Sequence, residues 1–221
     1  MSTAPIHLPN PRLYALARAV VRALLWLLTR TEIRGQENIP PLGPYIILTN
    51  HLSTIDPSLI MAVFPSPVTV FAGHTHRHEF IIGEVMNALG AIWVKRGEVD
   101  RHALRAALDA LKAGGLLGLA PEGTRSRTGG LLKGKIGAAY LATRADAPLV
   151  PVALTGTEIG LPALLKLGRP RITVTIGPPF RLPNPNPQAG RQELEAHTDL
   201  IMRTLAEMLP DKYRGVYRDS V

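Results

Sequence analysis

The spacing of apolar residues changes several times along the chain, and each change marks an element. From Arg12 onward the period is helical. At about 100° per residue, Leu13, Leu16, Val20, Val21, Leu24, Leu27 and Leu28 share one broad face, and Arg12, Arg18, Arg22 and Arg30 share the opposite arc. Short apolar runs then alternate with helix-period segments. Tyr45 to Thr49, Val68 to Ala72, Ala91 to Val94, Leu116 to Ala120, Leu149 to Leu154 and Arg171 to Ile176 read as strands. Pro57 to Phe64, Glu79 to Ala88, Asp100 to Ala113, Ile136 to Arg144 and Gln188 to Leu209 read as helices. The best marked is Asp100 to Ala113, with Asp100 as N-cap, a buried stripe of Leu104, Ala107, Leu108 and Leu111, and a stop at Gly114-Gly115. Strands regularly separated by helices predict an α/β fold. The expected molecule is a single domain, residues 36–221, with a mostly parallel or mixed central sheet flanked by helices, preceded by an amphipathic segment over residues 1–35.

Composition narrows the chemistry. There is no cysteine, which excludes disulfides, thiolate nucleophiles and Cys-based metal sites. A formal charge of +8, from 25 Lys+Arg against 17 Asp+Glu, favours an anionic partner. Nucleic acid is disfavoured, because aromatics make up 5% of the chain and no reading motif is present. The first twelve residues lack the basic start and apolar run of a secretory signal. Leu13 to Leu28 is interrupted by Arg18 and Arg22, so it predicts a helix lying on a membrane surface and not one spanning it. Its arginines would reach anionic headgroups at about 1 kcal/mol each. The competing reading is an ordinary helix docked on the domain's own core.

Three strand-end loops carry candidate chemistry. The first, Asn50-His51-Leu52-Ser53-Thr54-Ile55-Asp56-Pro57, puts His51 at a strand's end and Asp56 at the N-cap of the next helix, with Pro57 in the first turn. An imidazole whose Nδ1–H is held by a carboxylate presents Nε2 as a base. The second, Pro121-Glu122-Gly123-Thr124-Arg125-Ser126-Arg127-Thr128-Gly129-Gly130, leads to Lys133 and Lys135 and reads as a phosphate cradle of glycines, hydroxyls and guanidinium groups. Gly129 to Lys135 also fits G-x4-G-K, but Ile136 occupies the place of the Mg²⁺-binding Ser or Thr, so a nucleotide-binding loop is not expected. The third, Gly90 to Gly97, ends an apolar strand in Lys95 and Arg96, cations suited to an anionic group. His74, His76 and His78 alternate along one extended segment and offer a rival, a zinc-dependent hydrolase; a non-catalytic membrane-binding module is a second rival.

Taken in order, these blocks resemble the glycerolipid acyltransferase family typified by 1-acylglycerol-3-phosphate O-acyltransferases. Asn50 to Asp56 matches its H-x4-D box, Gly90 to Arg96 its second block, Pro121 to Ser126 its third, and Val150-Pro151-Val152 its fourth. The resemblance implies His51 as base, Asp56 as its orienter, and Arg96, Glu122, Gly123, Thr124, Arg125, Ser126 and Pro151 as the substrate-binding set. It also implies a lysophospholipid acceptor and a fatty acyl thioester of coenzyme A or acyl carrier protein as co-substrate. No metal or other cofactor is expected, and the expected location is peripheral or monotopic on the cytoplasmic face of a membrane. A departure is Gly73-His74-Thr75-His76-Arg77-His78, where many relatives carry a lysine.

Overall fold

The computed structural model describes residues 11–73, 90–94, 100–159 and 168–220. The strands are β1 (Arg30–Arg34), β2 (Tyr45–Thr49), β3 (Val68–Gly73), β4 (Ile92–Val94), β5 (Leu116–Leu119), β6 (Leu149–Thr155) and β7 (Arg171–Ile176). The helices are α1 (Pro11–Leu28), α2 (Asp56–Val63), α3 (Arg101–Lys112), α4 (Gly137–Ala145) and α5 (Arg191–Glu207). Among the described residues the strands form one mixed seven-stranded sheet in the order β1-β7-β6-β2-β5-β3-β4. All neighbours run parallel except β6 and β7.

Period-two alternation distributes the core. Ile46 and Leu48 of β2 face α3, α4 and α5 with Leu117 and Leu149, whereas Tyr45 and Ile47 face α2 with Leu116, Val150 and Val152. Because both faces are covered, β2 is buried along its whole length. The opposite composition appears in β1, Arg-Thr-Glu-Ile-Arg, whose exposed charges suit an edge strand and discourage further pairing. This strand lies inside the segment assigned to a leader from sequence, so the α/β sheet begins before residue 36.

Helix α1 docks through a narrow face. Tyr14 is buried, Leu25 packs against the α2-side core, and Arg22 donates to the Ala62 carbonyl at 3.4 Å. The arginine arc therefore turns partly toward the protein, and a stripe of Leu13, Leu16, Val20, Leu24 and Leu27 is left exposed. No described helix is long and apolar enough to cross a membrane. In α3 the expected cap is present, with Asp100 Oδ1 accepting from Ala103 N at 3.0 Å. The buried stripe is instead Ala103, Ala107, Ala110 and Leu111. Leu104 and Leu108 are half-buried, packing against the core on one side and bordering a groove on the other.

After α5 two short 3₁₀ turns, Asp211–Tyr213 and Gly215–Ser220, fold back onto residues 130–134. Leu131 N donates to Tyr213 O at 2.9 Å, and Val216 N donates to Leu131 O at 3.1 Å. The backbones approach so closely that a Cβ on Gly130 would stand 2.7 Å from the Gly215 Cα. Glycine at both positions permits this contact.

Candidate active site

Strand order brings the loops together. β2 and β5 are parallel neighbours, so the loop after Thr49 and the loop after Leu119 emerge side by side at the same edge of the sheet. Asn50 fixes the first of them. Its Nδ2 donates to Leu154 O at 2.9 Å, and its Oδ1 accepts from Leu154 N at 2.7 Å, clipping the end of β2 to β6.

Beyond that clip, His51 Nδ1 lies 2.7 Å from Asp56 Oδ2. An ionised carboxylate only accepts, so this contact places a hydrogen on Nδ1, and in the neutral tautomer Nε2 then keeps its lone pair. His51 keeps part of its side chain exposed and lines the groove, while the Asp56 side chain is 2% exposed. Asp56 departs from the expected N-cap geometry. Ile55 occupies that position without a side-chain bond, and Asp56 is the first helical residue. Its Oδ2 turns back to accept from Leu52 N at 2.7 Å and Ser53 N at 2.8 Å as well as from the imidazole. The five-residue separation thus closes a turn whose own amides hold the carboxylate, which in turn fixes the ring.

The second loop grips the main chain of His51 from both sides. Glu122 Oε1 accepts from His51 N at 2.9 Å, and Ser126 N donates to His51 O at 2.7 Å. The other Glu122 oxygen accepts from Leu132 N at 2.8 Å. Burial raises the Glu122 carboxyl above its ordinary 4.5, and the two amide bonds oppose that shift. Ser126 Oγ donates to Gly130 O at 2.5 Å. Glu122 and Ser126 therefore point into the protein and position the loop.

Gly123 and Thr124 are exposed and line the groove with His51. Gly123 has φ +65°, a left-handed turn that glycine adopts without strain. Arg125 is half-buried and makes no ion pair among the described residues. Pro151, placed in the binding set from sequence, is buried inside β6 and does not border the groove; its carbonyl accepts from Gly177 N at 2.9 Å. A proline is tolerated there because the β6–β7 ladder begins at Val152, so no ladder bond requires its missing N–H. Arg96 and the histidines at 74, 76 and 78 lie outside the described residues.

The groove has a volume of about 1560 Å³, larger than the usual small-ligand pocket. Leu104, Leu108 and Leu141 give it an apolar wall, and Lys133 and Lys135 bring cations to it. Sequence reasoning missed Asn50 as the clip of the site and Tyr217 as a groove residue. The signal for Asn50 was a polar residue at the exit of a mostly apolar strand; Tyr217 had none, being 166 positions from His51 in sequence. Chemically, the assembly offers an oriented imidazole at the rim of a groove that is partly apolar and partly cationic.

The sequence profile of the family described as Acyltransferase matches residues 30–155. The chain is 31% identical over 149 residues to a 1-acyl-sn-glycerol-3-phosphate acyltransferase of Borreliella burgdorferi, covering 66% of this chain and 59% of that protein. It is 30% identical over 132 residues to the human 1-acyl-sn-glycerol-3-phosphate acyltransferase alpha, covering 58% of this chain and 47% of that protein. The matched stretches thus span roughly half to three fifths of these relatives. The crystal structure of the 1-acyl-sn-glycerophosphate (LPA) acyltransferase from Thermotoga maritima shares the fold, with a TM-score of 0.68 at 24% identity, covering 88% of this chain and 79% of that one.

Proposed function

Because this chain belongs to the acyltransferase family, we propose that it transfers a fatty acyl group from a thioester to the free hydroxyl of a lysophospholipid, converting 1-acylglycerol-3-phosphate to phosphatidate. The observation that carries the proposal is the His51–Asp56 pair, held at 2.7 Å by backbone donors from its own turn. His51 Nε2 takes the proton of the acceptor hydroxyl as its oxygen attacks the thioester carbonyl. The tetrahedral intermediate collapses, the carbon–sulfur bond breaks, and the proton on His51 passes to the departing thiolate. Asp56 stabilises the imidazolium that exists between those steps. General base catalysis of this kind contributes roughly 10²–10⁴-fold.

In this reading Gly123, Thr124, Arg125 and Arg96 receive the acceptor's glycerol phosphate, and Glu122 with Ser126 keeps His51 in register. The donor is a thioester of coenzyme A or of acyl carrier protein. The exposed stripe Leu13, Leu16, Val20, Leu24 and Leu27 supports peripheral attachment to an anionic membrane, and the basic charge favours its cytoplasmic face. The test is incubation of the purified protein with each donor and a panel of lysolipids, with products identified by mass spectrometry. Phosphatidate formed by the wild type and lost in His51→Ala supports the proposal; equal turnover by both proteins sinks it.

A further inference from the structure

Gly129 to Lys135 lacks the Ser or Thr of a nucleotide-binding loop, yet the fold gives its second half a defined place. Lys135 N donates to Pro121 O at 2.8 Å, tying it to the turn that carries Glu122. Gly134 N donates to the Tyr217 hydroxyl oxygen at 3.1 Å. A Cβ on Gly134 would stand 2.6 Å from Met202 Cγ and 2.8 Å from Thr198 Cγ2, so this backbone is seated directly on α5.

Three polar groups of this segment and the C-terminal turn face the groove without serving the dyad. The Lys135 side chain lies along Gly123, where a Cβ would stand 2.9 Å from its Cδ and 3.3 Å from its Nζ. That places the ammonium beside the turn following Glu122. Lys133 borders the same groove, and among the described residues neither lysine has an ion pair. Tyr217 is 8% exposed and also borders it. Its oxygen accepts from Gly134, and a phenol that accepts one bond still has a hydrogen to donate. Two ammonium groups and a hydroxyl hydrogen match a compact anion bearing several acceptor oxygens.

We infer that Lys133, Lys135 and the Tyr217 hydroxyl form an anion subsite in the groove that holds a phosphate group of one of the two substrates, Tyr217 donating to a phosphate oxygen. The inference rests on the acyl-transfer reading above. It adds a cationic arm to the cradle, reached from the C-terminal turn 83 residues beyond Gly134.

The test titrates the full chain in detergent micelles with lysophosphatidate and, separately, with coenzyme A, by calorimetry. Variants are Lys135→Met, which keeps the stem lying on Gly123, and Tyr217→Phe. The control is Tyr213→Phe, whose hydroxyl bonds Gly156 N and Glu158 rather than the groove. The expected result is that Lys135→Met weakens one of the two ligands at least tenfold and Tyr217→Phe weakens the same ligand about fivefold, with Tyr213→Phe within twofold of wild type. The ligand affected identifies whether the phosphate belongs to acceptor or donor. Unchanged affinity of Lys135→Met for both ligands, or no binding of either by the wild type, overturns the subsite. Equal weakening by both tyrosine variants overturns the role of Tyr217, because loss of a packing brace would explain it. Wild-type turnover, measured in the same micelles, reports on the acyl-transfer reading independently of these affinities.

Discussion

Replacing Asp56 with asparagine isolates the charge of the dyad from its geometry. The amide oxygen can occupy the place of Oδ2 and keep accepting from Leu52 N, Ser53 N and His51 Nδ1, so the ring orientation survives. The amide nitrogen then takes the place of Oδ1, which is buried without a partner among the described residues. Leaving that donor unsatisfied costs about 1–3 kcal/mol of stability. What disappears is the attraction between the carboxylate and the imidazolium formed during proton transfer. With charge centres about 4 Å apart and an effective dielectric constant near 20, that attraction is about 4 kcal/mol, or roughly three decades in rate. On the proposed reaction, the expected outcome is a 10²- to 10⁴-fold fall in kcat with KM within about threefold, read by phosphatidate formation from whichever thioester supports wild-type turnover. Urea unfolding at the same pH checks that the variant is folded. A fall in kcat of less than tenfold would refute the assignment of Asp56 as the electrostatic partner of the base.

Four further outcomes are expected. Asn50→Ala leaves both main-chain groups of Leu154 unpaired in a buried setting, so urea unfolding should show a loss of about 2–4 kcal/mol; a loss below 1 kcal/mol would contradict the clip. Glu122→Gln offers one acceptor to two amides, so either His51 N or Leu132 N is left unpaired, and a displaced His51 should lower kcat by about 10- to 100-fold. Since the folded Glu122 pKa lies above 4.5, the unfolded chain releases this proton first, so wild-type stability relative to Glu122→Gln should decline as pH rises from below 4.5 through the folded value, in unfolding curves collected at each pH. Replacing Leu16 and Leu24 together with glutamate should cut co-sedimentation with anionic vesicles by at least tenfold while the melting temperature stays unchanged, since both side chains are exposed.

The apolar runs located β2 and β7 to the residue, because a strand covered on both faces or alternating cleanly leaves a simple pattern. The cap and glycine stop of α3 were equally legible. β1 was not, since Arg30, Glu32 and Arg34 carry no apolar signal and an edge strand needs little. The antiparallel turn of β7 against β6 was also hidden, because direction leaves no mark on a strand's own composition. At the site, the residue types of the dyad and the glycine-rich loop were readable. Their second partners were not. That Glu122 and Ser126 hold His51 by its main chain depends on β2 and β5 lying side by side, a relation between residues 71 positions apart. Likewise, the rotation of α1 followed from its contact with α2 and not from the breadth of its apolar face.

The late turns that press on residues 130–134 also set a schedule. A growing polypeptide emerges with β2, β5 and both site loops well before Tyr217, which must be made before Gly134 gains its partner 83 residues away. At roughly 5–20 residues per second of synthesis, that interval is about 4–17 s. Through it Leu131 also lacks Tyr213, so the backbone between the glycine-rich loop and α4 is without its hydrogen bonds to the 211–220 turns. Arrival of the 211–220 turns is therefore what pins residues 131–134 in place. A chain stalled before residue 211 would carry His51 and Asp56 with α5 already against Gly134, and would still lack the bonds from Tyr213, Val216 and Tyr217 that pin the groove wall.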